Sequence, residues 1–327
     1  MIRIPYPDET KLNAFYNMHK SEILRRVGVI KHTKKIQWQN KTYKLTKKIV
    51  KIIDEFENEE KLKNILIGKP NELIKIITKY KYKYEEPRFK NKGVQIFYNL
   101  FYNEKKDIDI FLRSIFEKYG YDQIDKLQFI KNIDLKTCPY CNRNYTFTID
   151  EKGSVKPELD HFYPKSLYPF LACSFFNLIP SCPTCNGFGA KESKDTYYVY
   201  PITNPYELKT NDFKFSITPN NINFFNVESE KYDFNSFEIN LYGNKVNLEV
   251  FKLEELYKQH KDIVLELLIK KVYYPKSYIN ELQTFGFSQD EIYRYLLCNY
   301  NKEEDLHKRP LSKLVKDISE ELGLIKS

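Results

Sequence analysis

The 327-residue chain has no long hydrophobic run: nothing in it approaches the eighteen or so consecutive apolar residues of a membrane span. It also lacks the basic-then-apolar opening of a secretory leader, since it begins MIRIPYPDETKLNAF. With neither signal, the expectation is a cytoplasmic protein with no membrane partner. No internal repeat and no low-complexity linker interrupts the sequence, so repeat architectures and obvious domain seams are absent too. Histidine and cysteine are scarce, at five and six residues. A disulfide framework is therefore not expected, because a reducing compartment makes paired cysteines metal ligands before it makes them crosslinks.

What the chain does contain is hydrophobic residues at 42% and charged residues at 30%, a composition that folds into a core rather than staying disordered. The length suits one large domain or two to three small ones. Net charge is +9, and its placement is uneven. The first fifty residues carry twelve lysines and arginines against three acidic residues, while the remainder is balanced. A basic segment beside a neutral body suits contact with phosphates. An AT-rich coding bias, visible in abundant Lys, Ile, Asn and Tyr, would also raise the lysine count.

Periodicity divides the chain into three regions. Residues 1–130 form a helical, basic N-terminal region. Within it, apolar spacing predicts a helix in DETKLNAFYNMHKSEILRRV with Asp8 as N-cap, and further helices near 44–56, 71–80, 94–102 and 106–118. TKKIQWQNKTYKL alternates like a short hairpin. KYKYKYEEPRFKNK, 79–92, mixes Lys with Tyr; it reads as a solvated helix end or loop, or as a surface for stacking bases. Residues 131–200 change texture to turns and short β-rich runs such as YTFTI, and hold five of the six cysteines. In residues 201–327, FKFSITP and FEINLYG read as strands. LEVFKLEELYKQHKDIVLELLIKKV, SQDEIYRYLLCNY and LSKLVKDISEELGL read as helices, the second with a Ser N-cap.

The chemistry concentrates in the middle region. Cys138-Pro-Tyr-Cys141 and Cys182-Pro-Thr-Cys185 are two tight turns, each aiming two thiolates at one point. Together they make a Cys₄ set suited to structural Zn²⁺, with no open position for catalysis. A redox dithiol would need only one pair in a thioredoxin-like setting, which is missing. Cys173 lies in an apolar context and Cys298 in an amphipathic helix, and both read as buried free thiols.

Between the pairs, a short strand in KPELDHF ends at Asp160 and His161, and Asn186 follows directly on the second pair. An imidazole can take a proton from water, and a carboxylate is a hard-oxygen ligand for Mg²⁺. Neighbouring strand residues point to opposite faces, so the two address one site only at a strand end or bulge. Asn186, held at a helix start by the zinc turn, could add an amide oxygen.

The order C-x-x-C, Asp-His, Asn, C-x-x-C-Asn resembles the HNH endonuclease family. DHFYPKSLYPFLACSFFNLIPSC and RPLSKLVKDI are similar to a bacterial subgroup, some of whose members work beside an ATPase in phage-defence systems such as Septu. The resemblance covers 134 to about 196. It implies an α+β fold: a zinc-bound, treble-clef-like ββα-metal core embedded in mostly helical N- and C-terminal segments. It implies metal-dependent hydrolysis of phosphodiester bonds, with DNA as the expected substrate and an ATPase or other sensor protein as a possible partner. His161 would be the general base, and Asp160 and Asn186 would hold one Mg²⁺ (or Mn²⁺). Asn177 would tie down the loop between the second strand and the helix. Where many members place a lysine three positions after the last motif residue, this chain has Gly189. Lys191 is the nearest substitute for a phosphate-facing cation, and Lys165 is another. The alternative is a zinc-braced nucleic-acid-binding or adaptor protein without activity, which would need the cysteines but not Asp160, His161 or Asn186. A zinc deaminase or hydrolase fails on ligand count and on the absence of an H-x-E motif.

Overall fold

Asp8 opens the first helix by accepting the Lys11 amide at 2.8 Å, and the helix α1 (Glu9–Thr33) then buries Tyr16, His19, Ile23, Val27 and Ile30 along one face. In the computed structural model, which describes residues 1–81, 107–149, 156–187, 189–225 and 234–324, that face is the spine of the N-terminal half. The 94–102 helix and nearly all of 79–92 expected from sequence lie outside the described residues. Lys34, left-handed at φ 53°, ends α1 and leads into an antiparallel hairpin of β1 (Lys35–Trp38) and β2 (Lys41–Lys44). Its two-residue turn has both Gln39 and Asn40 at positive φ, the geometry that matches strand twist.

Three helices follow: α2 (Lys47–Asp54, capped by Thr46), α3 (Glu59–Ile67, capped by Asn58) and α4 (Pro70–Lys81), with α3 packed on α1. Residues 107–112 are helical and run into a π-helical turn, Arg113–Glu117, that also packs on α1. Next comes α5 (Lys126–Ile133), capped by Asp125.

The middle region carries little regular structure. β3 (Glu158–His161) pairs antiparallel with β4 (Leu178–Ser181), Asp160 opposite Ile179 and His161 opposite Leu178, and β4 leads into α6 (Pro183–Asn186), a single turn. Among the described residues YTFTI forms isolated bridges, Tyr145 to Thr137 and a second at Ile149, and not a strand of its own. Farther on, β5 (Lys214–Pro219) and β6 (Phe237–Tyr242) form a third hairpin. The expected long helix over 248–272 is broken: α7 (Lys245–Phe251) stops at Lys252, left-handed at φ 50°, before α8 (Leu253–Tyr257) and α9 (Lys261–Tyr273). α10 (Lys276–Thr284) and α11 (Gln289–Leu297) follow, the latter opened by a full capping box between Ser288 and Glu291. α12 (Ser312–Glu321) lies along β5, where the Asp317 carboxylate accepts the Phe215 amide at 2.9 Å.

The protein is thus a mixture of helices and two-stranded sheets. One continuous cluster of buried side chains draws on all three sequence regions, from Met1 to Leu324. Cys298 departs from expectation. It caps α11 in the left-handed conformation, past the helix's apolar face, and its thiol is exposed. Cys173 is buried as expected, and burial pushes its thiol well up from the usual range.

Candidate functional site

Two backbone turns build the candidate metal centre. In the first, the Cys138 amide meets the Asn144 carbonyl at 2.9 Å, the Asn142 amide meets the Cys138 carbonyl at 2.7 Å, and the Arg143 amide approaches the Cys141 sulfur at 3.4 Å. In the second, the Cys185 and Asn186 amides both reach the Cys182 carbonyl, at 3.0 and 3.1 Å. The four sulfurs are buried and lie within 4.8 Å of one another, Cys141 and Cys182 at 3.9 Å. Tetrahedral zinc–thiolate bonds of 2.3 Å put sulfurs about 3.8 Å apart, so the set fits a closed zinc site. Packed away from water, four thiols do not all ionise unaided. Burial and neighbouring sulfurs raise Cys138, and neighbouring sulfurs and burial raise Cys185, whereas hydrogen bonds from the neighbouring thiols hold Cys141 and Cys182 down. A cation bound by four thiolates would remove that conflict.

This cluster clamps the first turn against the end of β4 and so fixes β3 beside it. Asp160 and His161 leave β3 on opposite faces, as regular strand geometry requires. Asp160 points inward and is 3% exposed. Its Oδ2 accepts the Tyr140 hydroxyl at 2.6 Å, and its Oδ1 pairs with Lys191 Nζ at 2.8 Å. Lys191 is wholly buried and also donates to the His161 carbonyl at 2.6 Å. Gly189, at φ +82°, lets the loop double back until the Lys191 amide meets the Cys185 carbonyl at 3.1 Å. In this arrangement Lys191 does not face solvent or a phosphate. It neutralises Asp160.

His161 is 9% exposed on the other face. Its Nε2 lies 3.0 Å from the Ala172 carbonyl oxygen, which can only accept. Nε2 therefore carries the hydrogen, and Nδ1 keeps the lone pair. Burial, with Lys165 next in effect, lowers the ring's pKa to about 3, so it is neutral at physiological pH. The ring of Tyr121 lies against it at 4.5 Å between centroids. Two lysines sit over that tyrosine, Lys126 Nζ at 4.5 Å and Lys165 Nζ at 5.0 Å from the ring centre. Lys165 also pairs with Glu117 at 2.6 Å. Tyr121, Lys126, Glu158 and Asn186 line an open cleft of about 520 Å³.

Asn177 is fully buried, and its amide oxygen and both amide hydrogens are engaged. Its Oδ1 accepts the Tyr163 amide at 2.7 Å, and its Nδ2 donates to the carbonyls of Tyr163 at 3.1 Å and Leu171 at 2.9 Å. The loop it ties is the one joining β3 to β4, not the one between β4 and the helix, and it touches no open surface. Asn186 ends α6 rather than starting it, and its Nδ2 donates to Glu158 at 2.7 Å. The structure thus brings His161 near Lys165 and pairs Asp160 with Lys191, but it does not bring Asp160 and Asn186 together as one open oxygen site. With both Asp160 oxygens occupied, the expected Mg²⁺ pair does not fit as the side chains stand.

Sequence reading missed several residues here. Tyr140 was visible inside CPYC. Asn142 follows the first cysteine pair at positive φ, as turn asparagines do, and anchors α12. Its Nδ2 donates to Thr137 Oγ1 and the Leu306 carbonyl, and its Oδ1 accepts from Ser312 Oγ and the Lys313 amide, all at 3.0–3.1 Å. Tyr121 and Lys126 carry no local signal at all; only long-range packing puts them beside His161.

Over 69 residues the chain is 41% identical to the Septu protein PtuB of Bacillus thuringiensis, a stretch that is 21% of this chain and 23% of that protein. The chain therefore matches about a quarter of the relative's length. No protein-family model matches the chain, and no solved structure matches it. No described helix is long and apolar enough to cross a membrane.

Proposed function

We propose that this chain is a nuclease of the HNH type, hydrolysing phosphodiester bonds in DNA as part of a phage-defence system. The observation that carries the reading is the state of His161. Its Nε2–H is held by a backbone carbonyl and its Nδ1 lone pair is free, on a strand, strand and helical turn braced by four cysteines. A neutral imidazole fixed in that tautomer offers Nδ1 to a proton from water while the ring stays oriented, and an anionic phosphate bound beside it would raise the basicity that burial lowers. Lys126 and Lys165, over Tyr121, supply positive charge beside it, where a phosphate oxygen would gain charge during attack. The match to Septu protein PtuB supports the defence role, and a protein partner such as an ATPase is what the subgroup resemblance of the sequence implies.

A divalent cation, when bound, would stabilise the charge on the phosphate and the leaving oxygen. Seating one on Asp160 would require Lys191 to leave. The zinc is a brace.

Purified protein is to be incubated with supercoiled plasmid and Mg²⁺ or Mn²⁺, beside His161→Ala of equal zinc content and melting temperature. Nicking by the wild type that falls at least a hundredfold in the variant supports the base assignment. Equal cutting by both proteins refutes it. Cutting that persists without any added divalent ion would remove the metal from the reaction.

A further inference from the structure

The positive charge of the first fifty residues is not spread evenly once folded. On α1, Lys11 pairs with Asp8, Lys20 with Glu59, Arg25 with Glu22, and Lys31 with Asp54 and Glu57. The next stretch, residues 34–51, has seven lysines and no acidic residue. It comprises the β1–β2 hairpin and most of α2. Lys35, Lys41, Lys44, Lys47 and Lys51 are all exposed, and none has an acidic neighbour within ion-pair distance among the described residues.

The hairpin has two unlike faces. Ile36 and Tyr43, directly opposite in register, turn to the core, with Ile36 2% exposed. On the outer face Lys35 stands opposite Lys44, and Gln37 opposite Thr42, whose side chains hydrogen-bond at 2.8 Å. Like charges facing each other across a ladder destabilise it. Lysines do blunt sheet edges against aggregation, but either sign of charge serves that purpose. The β5–β6 hairpin carries Lys214 and Glu238, one of each sign. An uncompensated single-sign face on a well-formed hairpin fits a polyanionic partner.

We propose that the β1–β2 hairpin and the first turn of α2 are a docking surface for the phosphate backbone of duplex DNA, independent of base sequence. The arm is rigid where it leaves the core: the Leu45 amide meets the Lys34 carbonyl at 2.8 Å. It joins α1 about 12 Å along the helix from Arg26, at 1.5 Å per residue. Arg26 bonds Ser114 in the π-helical turn, and Glu117 of that turn holds Lys165 beside Tyr121 and His161. A short run of packed elements therefore links the arm to the cleft. The inference goes beyond the chemistry proposed for His161 and needs the DNA substrate of that reading, but not its base.

The test is binding of a labelled 20-base-pair duplex, measured by anisotropy from 50 to 300 mM NaCl without divalent ions. It compares the wild type with Lys35→Gln/Lys41→Gln/Lys44→Gln and with a control, Lys209→Gln/Lys245→Gln/Lys258→Gln, that removes the same charge elsewhere. The expected result is a plot of log affinity against log salt that is shallower by about one unit per arm lysine, with affinity at least tenfold weaker at 100 mM salt. The control stays within threefold of the wild type. Equal slopes in the two variants overturn the proposal, as does a wild type that binds anionic vesicles and not duplex. Because nothing is cut in this assay, arm-dependent binding by a protein that fails to nick plasmid would leave the arm standing and remove the nuclease.

Discussion

Replacing Lys191 by Met separates a structural lysine from a phosphate-contacting one. Lys191 Nζ is wholly buried, 2.8 Å from Asp160 and 2.6 Å from the His161 carbonyl. The methionine keeps the volume but leaves Asp160, 3% exposed, with the Tyr140 hydroxyl as its remaining donor. Breaking a buried pair by deleting one partner typically costs 3–5 kcal/mol, and we expect about 4 kcal/mol here. Asp160→Asn alone should cost about 3 kcal/mol, since it strands the ammonium instead. The double variant Asp160→Asn/Lys191→Met leaves no unpaired charge, and should recover at least 2 kcal/mol of the summed single losses. Urea unfolding at saturating zinc, followed by tryptophan and far-UV signals, gives the four free energies. A Lys191→Met loss under 1 kcal/mol, or strictly additive singles, would refute the pairing and return Lys191 to the surface role read from sequence. If Asp160→Asn instead kills cleavage while barely changing stability, the carboxylate belongs to the catalytic ion and Lys191 only covers it between turnovers.

Other outcomes follow from the same geometry. Metal analysis should give one zinc per chain; a thiol reagent should then label Cys298 alone, and all four cluster cysteines only after chelation. Asn142→Ala should cost about 2–3 kcal/mol in urea, because it strands the Lys313 amide, leaves the Leu306 carbonyl with the Ser312 hydroxyl as its donor and puts alanine at φ 51°; Asn142→Gly, free of the backbone term, should cost about 1 kcal/mol less. His19 is 2% exposed and burial lowers its pKa to about 4, below the ordinary 6.5. The unfolded chain therefore binds a proton first: this stability is complete above pH 6.5 and is lost as pH falls towards 4, by about 3 kcal/mol. The difference between wild type and His19→Gln in urea midpoints should shrink over that window, and a constant difference would refute the assignment.

Local patterns in the sequence carried the elements well where the cause was local. Asp8 and Ser288 cap as their residue types suggest, and alternation marked both the β1–β2 and β5–β6 hairpins. The cysteine spacing marked the buried four-cysteine cluster, which could hold a metal. What sequence could not show was set by distant partners. The break at Lys252 interrupts a helical apolar period, and past it the Tyr257 hydroxyl donates to the Cys141 carbonyl, 116 residues away. Lys191 sits in a stretch as polar as any surface loop, and its burial is caused by Asp160, 31 residues away. The Tyr121–Lys126 side of the cleft arrives from a helical region that shares no motif with the cysteines.

The anchoring of α12 on Asn142 sets an order of events in synthesis. Asn142 and Ser312 are 170 residues apart. A ribosome adding roughly 5–20 residues per second needs about 10–30 s to cover that distance. Throughout that interval the amide of Asn142 lacks the partners that later bury it, and the first cysteine turn has no lid. The cysteine knuckle is among the earliest parts of the site to be translated and among the last to be locked. A chain truncated before residue 312 should carry every cluster cysteine, with Asp160 and His161, and still fail to hold them in place.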